Sequence, residues 1–309
     1  MMIPATLRDA LADRLGGPVE GGQPVYGGDI NHAAQIAVNG TRYFVKWSRE
    51  APAAMFPAEA DGLRRLAEAG EIRVPAVIAL GDAGDGCPAF LALEWIETDG
   101  SGRAHDATME EFGVRLAALH RHTASQHGLE RDNFLGRLPQ PNTPDPAWSV
   151  FYRDQRIRPQ MALARERGLL PKPREDLLTR LMERLPDLLD DTAIQPALLH
   201  GDLWGGNYLI DDRGEAVLID PAVYYGHREM DLAMSALFGG FSRRFYDAYA
   251  AAYPLDPGYE DRQPLYQLYY ILAHLNLFGE SYGGAGGALG ARCGVGGCGF
   301  GFSRNRERV

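Results

Sequence analysis

Three cysteines, Cys87, Cys293 and Cys298, are the whole supply in 309 residues, which excludes a disulfide framework and a four-thiolate metal centre. Long apolar runs are missing too. None approaches the roughly 18 residues that a membrane-crossing helix needs, and the amphipathic opening MMIPATLRDALADRL carries no signal-peptide core. A cytoplasmic protein is therefore the expectation. No block of lysine or arginine occurs, and 31 basic residues against 41 acidic ones leave a formal net charge of −10. Nucleic acid and anionic membranes repel such a chain and are not expected partners. The eight histidines form no His-Glu-x-x-His pair. His120 and His122, two apart near the end of an expected helix, point to different faces and read as solvated or locally bonded, not as ligands.

The composition that is present, 45% hydrophobic and 23% charged, suits one large domain or two lobes with a substantial core. Its most informative stretch is LLHGDLWGGNYLIDDRGEAVLIDPAVYYG, residues 198–226. An apolar run (Tyr208 to Ile210), a polar turn (Asp211 to Gly214) and a second apolar run (Ala216 to Ile219) predict a hairpin that returns Asp220 to the neighbourhood of Asn207. Asp202, Asn207 and Asp220 then stand in the order in which protein-kinase-type phosphotransferases place base, metal ligand and second metal ligand. His200-Gly201-Asp202 occupies the place of their His-Arg-Asp, and Asp220-Pro221-Ala222 the place of their Asp-Phe-Gly. Oxygen ligands of this kind suit Mg²⁺ better than zinc.

Upstream, leucines at 7, 11 and 15 predict a short helix over 4–15, broken by Gly16-Gly17-Pro18. Three strands follow, with turns at residues 27–32 and at Asn39-Gly40, the latter a strong hairpin signal. Gly28, Asp29 and Asn31 lie in the first turn, where glycines let backbone amides approach a polyphosphate; the G-x-G-x-x-G pattern is absent from it. Lys46 ends a strand and Glu59 lies 13 residues on, in an expected helix over 57–68, the pairing by which a kinase small lobe holds its phosphate-binding lysine. Two more strands, near 74–80 and 90–96, lead to a hinge at 97–103, and kinase analogy places backbone groups near Glu94 and Ile96 against an adenine edge. A helix over 109–125 opens the larger half. A polar, Asn- and Pro-rich loop over 126–148 is expected next, functional or disordered, then helices near 148–167, 175–189, 242–253 and 259–277. Trp148, Phe151, Tyr152 and Arg156 offer either a polyol-binding surface or core packing. Asp231 reads as structural, capping its helix or bonding the catalytic-loop backbone.

Taken together, LLHGDLWGGN, IDPAVYYGHREMDLA, GGDIN, FVK, GLERDNFLG and YILAHLNLFGESY resemble the fructosamine kinase (ketosamine-3-kinase) family, a protein-kinase-like branch related to aminoglycoside phosphotransferases. The resemblance covers roughly residues 4–282. It implies an α+β, two-lobed protein-kinase-like fold, with a small antiparallel-sheet lobe over 1–97 and a mainly helical lobe over 98–282. It further implies ATP-dependent phosphorylation of the 3-hydroxyl of a ketosamine, free or protein-bound, as deglycation repair. Asp202 would be the base, Asn207 and Asp220 the Mg²⁺ ligands, and Lys46 with Glu59 the phosphate clamp. The alternatives are a kinase of another hydroxylated amine, aminoglycoside- or choline-like, and a nucleotide-binding regulator without turnover. Oligomeric state is left open. Residues 283–309 depart from the pattern: ten of the 19 residues from Gly283 to Gly301 are glycine, each opposing helix by roughly 1 kcal/mol relative to alanine, and an irregular tail is expected.

Overall fold

A computed structural model describes residues 3–25, 31–98 and 105–282. The expected nucleotide-turn residues Gly28 and Asp29, and the glycine-rich tail, lie outside the described residues. The chain begins with helix α1 (Ala5–Leu15). Strands β1 (Val19–Pro24), β2 (His32–Val38) and β3 (Thr41–Ser48) follow, then helix α2 (Met55–Ala69) and strands β4 (Val77–Gly81) and β5 (Ala89–Glu94). The five strands form one sheet in the order β1-β2-β3-β5-β4, with every neighbouring pair antiparallel. Asn39 (φ 51°) and Gly40 (φ 77°) both sit in the left-handed region, which matches the twist of a tight hairpin and fixes the β2–β3 register. Period-two alternation then sorts β3 by face. Val45 and Trp47 pack with Leu7 and Leu11 of α1, whereas Lys46 is turned to the other face, where α2 lies.

The remainder is mainly helical. Helix α3 (Asp106–Leu119) leads to a short hairpin, β6 (Asn133–Leu135) with β7 (Leu138–Gln140). Helix α4 (Trp148–Phe151) runs through a π-helical segment (Tyr152–Ile157) into α5 (Arg158–Glu166), followed by α6 (Lys172–Leu188). Four short strands come next: β8 (Ala197–Leu199), β9 (Tyr208–Ile210), β10 (Ala216–Leu218) and β11 (Tyr224–Gly226). Helices α7 (Glu229–Phe238), α8 (Arg243–Ala252) and α9 (Tyr259–Phe278) complete the described chain. Helix α9 is the axis of this half: Tyr266, Leu268, Tyr270 and Leu272 are fully buried in its core, on more than one side of the helix. The whole is the α+β, two-lobed protein-kinase-like arrangement that the family resemblance implies.

Two expectations need correction, and one open alternative is decided. Helix α3 stops at Leu119 instead of running to 125, because the next residues leave it to bond the strand that precedes the catalytic loop: Leu198 N–H donates to His122 O (2.8 Å) and Ala124 N–H to Pro196 O (3.1 Å). The polar stretch 126–148 is no open loop; it folds into the β6–β7 hairpin, with Asn133, Gln140 and Asn142 buried. Trp148, Phe151, Tyr152 and Arg156 are all fully buried and bind no polyol. Arg156 stacks 3.8 Å over the Tyr224 ring and donates to Pro141 O and Asn142 Oδ1, so core packing is the outcome.

Candidate active site

The loop between β8 and β9 carries His200, Asp202 and Asn207, and its shape is set from behind. Asp231, fully buried on α7, accepts the backbone N–H groups of His200 (2.7 Å) and Gly201 (2.9 Å). His120 closes this carboxylate from a third side at 3.2 Å and contacts the Tyr249 hydroxyl at 2.8 Å. His120 is thus fully buried and bonded, not solvated; the carboxylate that orders it lies far along the sequence. Because a carboxylate can only accept, Nε2 donates to Asp231. The same reasoning fixes His200, whose Nε2 donates to Ile219 O (2.9 Å) while Nδ1 accepts the Asp202 N–H (3.2 Å). Burial lowers its pKa and keeps the ring in that neutral, one-donor form.

Gly201 is the tightest point. Its φ is 83° and a Cβ there would lie 2.0 Å from Ala222 O. Gly201→Ala is expected to cost more than ~3 kcal/mol or to push the loop aside, with a turnover loss on the order of 100-fold. Thermal unfolding and steady-state rates measure both; a variant with wild-type stability and rate would refute the packing argument.

Across the hairpin, Ile219 N–H donates to Asn207 O (3.0 Å), which brings Asp220 beside Asn207. Asn207 in turn donates its Nδ2 to Asp202 O (2.8 Å) and Oδ2 (3.0 Å). From the sheet, Lys46 Nζ reaches Asp220 Oδ1 (2.6 Å) and also ion-pairs with Glu59 of α2. Glu59, Lys46 and Asp220 form one run of contacts and Asn207 with Asp202 a second; the backbone bond from Ile219 to Asn207 draws the two runs together. Asp220 adopts φ 53°, a left-handed conformation that costs a non-glycine residue about 1 kcal/mol or more.

The charges are tuned by this setting. Asp202 is half-buried on the cleft floor, and its desolvation pushes the carboxyl up to about 7; Asn207 opposes the rise, and Asp220 and Asp231 add to it. Burial likewise lifts Glu59 to about 7 against the pull of Lys46. Burial alone would depress Lys46, but the Asp220 and Glu59 carboxylates outweigh it and hold the ammonium above its ordinary value. Lys46 is therefore charged at any physiological pH.

These side chains line one cavity of about 680 Å³, a size typical of small-molecule sites. Asn31 and the buried Ile96 lie on its wall, as do Phe44 and Leu93 from the sheet. Glu94 is there too, but its groups are largely engaged: Oε1 accepts from Arg73 (2.6 Å), Oε2 accepts the Ala76 N–H (3.1 Å), and its own N–H donates to Ala76 O (2.9 Å). Sequence reasoning assigned no site role to Trp204, Phe134, His274 or Phe278, which line the same cavity. Phe134 lies two residues before Gly136 in a stretch that reads as loop. His274 and Phe278 belong to the last two turns of α9, where no local signal separates a cleft residue from a core one.

The donor set fits an oxygen-preferring divalent cation. Asn207 spends its amide nitrogen on Asp202, so its oxygen is what it can offer a metal, and Asp220 supplies a carboxylate already facing a cation, the Lys46 ammonium. His227, Glu229 and Asp256 also cluster, but Glu229 is clasped by two Arg262 bonds (2.6 and 2.9 Å) and His227 contacts the Tyr266 hydroxyl; that group is an internal ion-pair lattice.

Comparison with known proteins agrees with this geometry. The fructosamine kinase family model matches residues 5–289. A "Probable ketoamine kinase" of Enterococcus faecium is 44% identical over 260 residues, 84% of this chain and 90% of that one. The chloroplastic protein-ribulosamine 3-kinase of Arabidopsis thaliana is 39% identical over 264 residues, 84% and 78% of the two chains. A crystal structure from Thermobifida fusca, described as a "putative fructosamine-3-kinase", superposes with a TM-score of 0.83 at 35% identity, covering 93% of this chain and 98% of that one. An aminoglycoside phosphotransferase in complex with ADP and hygromycin B shares the fold at a TM-score of 0.63 and 12% identity, over 96% and 100% of the two chains. Spanning almost the whole described chain, the match shows that this protein belongs to the fructosamine kinase family and is a kinase.

Proposed function

We propose that the chain transfers the γ-phosphoryl group of ATP to the 3-hydroxyl of a ketosamine, an Amadori-type adduct of a sugar and an amine, and so acts in deglycation. The observation that carries this reading is the gathering of the Glu59–Lys46–Asp220 ion pairs and the Asn207–Asp202 bond along one cleft. Asp202 accepts a hydrogen bond from the acceptor hydroxyl and takes its proton as the new P–O bond forms and the bond from the γ-phosphorus to the bridging oxygen breaks, ADP leaving. Lys46, held by Glu59, neutralises nucleotide phosphate charge, and phosphate binding from the small lobe is assigned to Gly28, Asp29 and Asn31, the last of which lines the cavity. Backbone groups near Glu94 and Ile96 take the adenine edge; at Glu94 this falls to the carbonyl, since the N–H is already bonded. Asn207 and Asp220 would hold Mg²⁺, which when bound neutralises charge developing on the transferred group. The protein's own contribution is alignment, which such a transfer mainly requires. On this reading the lobes divide at residue 97/98.

The relatives' named activities on ketoamines and ribulosamine support the acceptor class, and among the described residues no helix is long and apolar enough to cross a membrane. The test is a coupled ADP-release assay with fructosyl-lysine, ribulosyl-lysine, kanamycin and choline. Mg²⁺-dependent turnover with either lysine adduct and none with kanamycin or choline is the expected outcome. Preferential turnover of kanamycin or choline would overturn the acceptor assignment, and nucleotide binding with no turnover of any acceptor would make the protein a regulator.

A further inference from the structure

The segment Ile219–Val223 carries the left-handed Asp220 and is held on nearly every side. Ile219 N–H donates to Asn207 O (3.0 Å) and Ala222 N–H to His200 O (2.9 Å), while His200 Nε2 donates to Ile219 O. These bonds come from the catalytic loop itself. The carbonyls of Ala222 and Val223, by contrast, are taken by the β6–β7 hairpin: Gln140 Nε2 donates to Ala222 O (3.1 Å) and Asn133 Nδ2 to Val223 O (2.7 Å).

Both amides are buried, and their orientation is unambiguous. Gln140 Nε2 also donates to Asn133 Oδ1 (2.8 Å), and its Oε1 accepts from the Tyr269 hydroxyl (2.7 Å). Flipping the Gln140 amide would set its oxygen against two carbonyl oxygens. Asn133 Oδ1 further accepts from Asn142 Nδ2 (2.9 Å), whose own Oδ1 accepts from the buried Arg156 (2.8 Å). The hairpin is thereby anchored in the core. On the other side of the segment lies α2: a Cβ at Gly62 would meet Val223 Cγ2 at 3.2 Å and Pro221 Cγ at 3.4 Å, and Gly62 is three residues from Glu59, on the same helix face. The hairpin, the Asp220 segment and the helix that sets Lys46 form one packed stack.

We propose that Asn133 and Gln140 are positioning residues of the cation and nucleotide site: their side-chain amides fix the Asp220 carboxylate by gripping the two carbonyls that follow it. This rests on the reading of Asp220 as the cation ligand. Groups that orient a metal ligand without touching the metal typically change its affinity by ~10- to 100-fold when removed. Gln140→Met and, separately, Asn133→Leu keep the volume and lose the grip. Tyr269→Phe removes a bond to Gln140 but none to the Asp220 segment, and serves as the control.

The measurement is ADP affinity by calorimetric titration with and without Mg²⁺, together with amide exchange at Ile219 and Ala222. In each grip variant the Mg²⁺-dependent gain in affinity is expected to fall at least ~10-fold and both amides to exchange faster, with ADP affinity in the absence of Mg²⁺ and the control variant within ~2-fold of wild type. A folded grip variant that keeps its Mg²⁺ gain overturns the proposal, even if its melting temperature drops, because the hairpin would then be a merely structural element. Fast exchange of both amides in the wild-type protein also overturns it, whether or not the variants fold. A wild-type protein whose ADP affinity ignores Mg²⁺ would instead remove Asp220 as a ligand, and this inference with it.

Discussion

Asp202→Asn is expected to lower turnover by on the order of 10³-fold or more while leaving nucleotide affinity within ~3-fold of wild type. The substitution is isosteric, and the new side-chain amide can still present an oxygen to the Asn207 amide that now donates to Asp202 Oδ2 at 3.0 Å. What it cannot do is take a proton. A second readout separates this role from a structural one. The folded state lifts the Asp202 carboxyl from 3.8 to about 7, chiefly by burial, so the folded protein prefers it protonated. A raised folded-state value means that the neutral form's stabilising advantage is complete below the unfolded-state value and is lost as pH rises to about 7. Asp202→Asn keeps a neutral group at every pH. The variant should melt level with wild type near pH 4 and progressively higher up to pH 7–8, by at most a few kcal/mol, since Asp202 retains partial exposure to the cleft. Catalysis runs the other way: the base works only when ionised, so wild-type kcat/KM should rise with pH through a limb at or below about 7. A cation beside Asp220 would move that limb down by favouring the carboxylate. An active Asp202→Asn enzyme, or one that is inactive and also less stable at pH 8, would remove Asp202 from the role of base.

Much of this site was legible because its elements follow one another in short, strongly patterned segments. Alternation along Phe44-Val45-Lys46-Trp47 sent Lys46 to the face opposite Val45 and Trp47, and the polar turn after Ile210 folded Asp220 back on Asn207. Both depend on local periods, which survive folding. The readings that missed or stayed open share the opposite property. His120 was left open between a solvated and a locally bonded residue because the groups that satisfy it, Asp231 and Tyr249, are more than a hundred residues away. The amide-rich stretch through Asn133, Gln140 and Asn142 read as loop because its polar side chains find buried carbonyls of the Asp220 segment and the Arg156 guanidinium only in three dimensions. A buried hydrogen-bonded amide has the same letter as a solvated one. Arg156 and its aromatic neighbours left a sugar platform and core packing both open for a related reason: a guanidinium stacked on rings is equally suited to a surface and to a sealed core. Asp231 was read correctly as structural because catalytic-loop backbone amides need an acceptor and a helix start is where one can be offered.

Asp220→Ala is expected to abolish the Mg²⁺ dependence of nucleotide binding and to reduce turnover by a factor on the order of 10³. The structure supplies a sharper expectation than simple loss. Lys46 is shared between Asp220 and Glu59; deleting the Asp220 carboxylate leaves it with one acidic partner and turns its free donors toward nucleotide phosphate. Affinity for ADP without Mg²⁺ should therefore be unchanged or higher in the variant, whereas adding Mg²⁺ should no longer raise it. Asp220→Gly tests the backbone separately, because glycine adopts φ 53° without penalty and Ala does not. If the carboxylate is what matters, both variants lose the Mg²⁺ response equally, and Asp220→Gly is the more stable of the two by about 1 kcal/mol. A Mg²⁺ response retained in both would show that the cation is held elsewhere. Retention in Asp220→Gly alone would mean that the left-handed turn, by presenting neighbouring groups, contributes what is here ascribed to the Asp220 side chain.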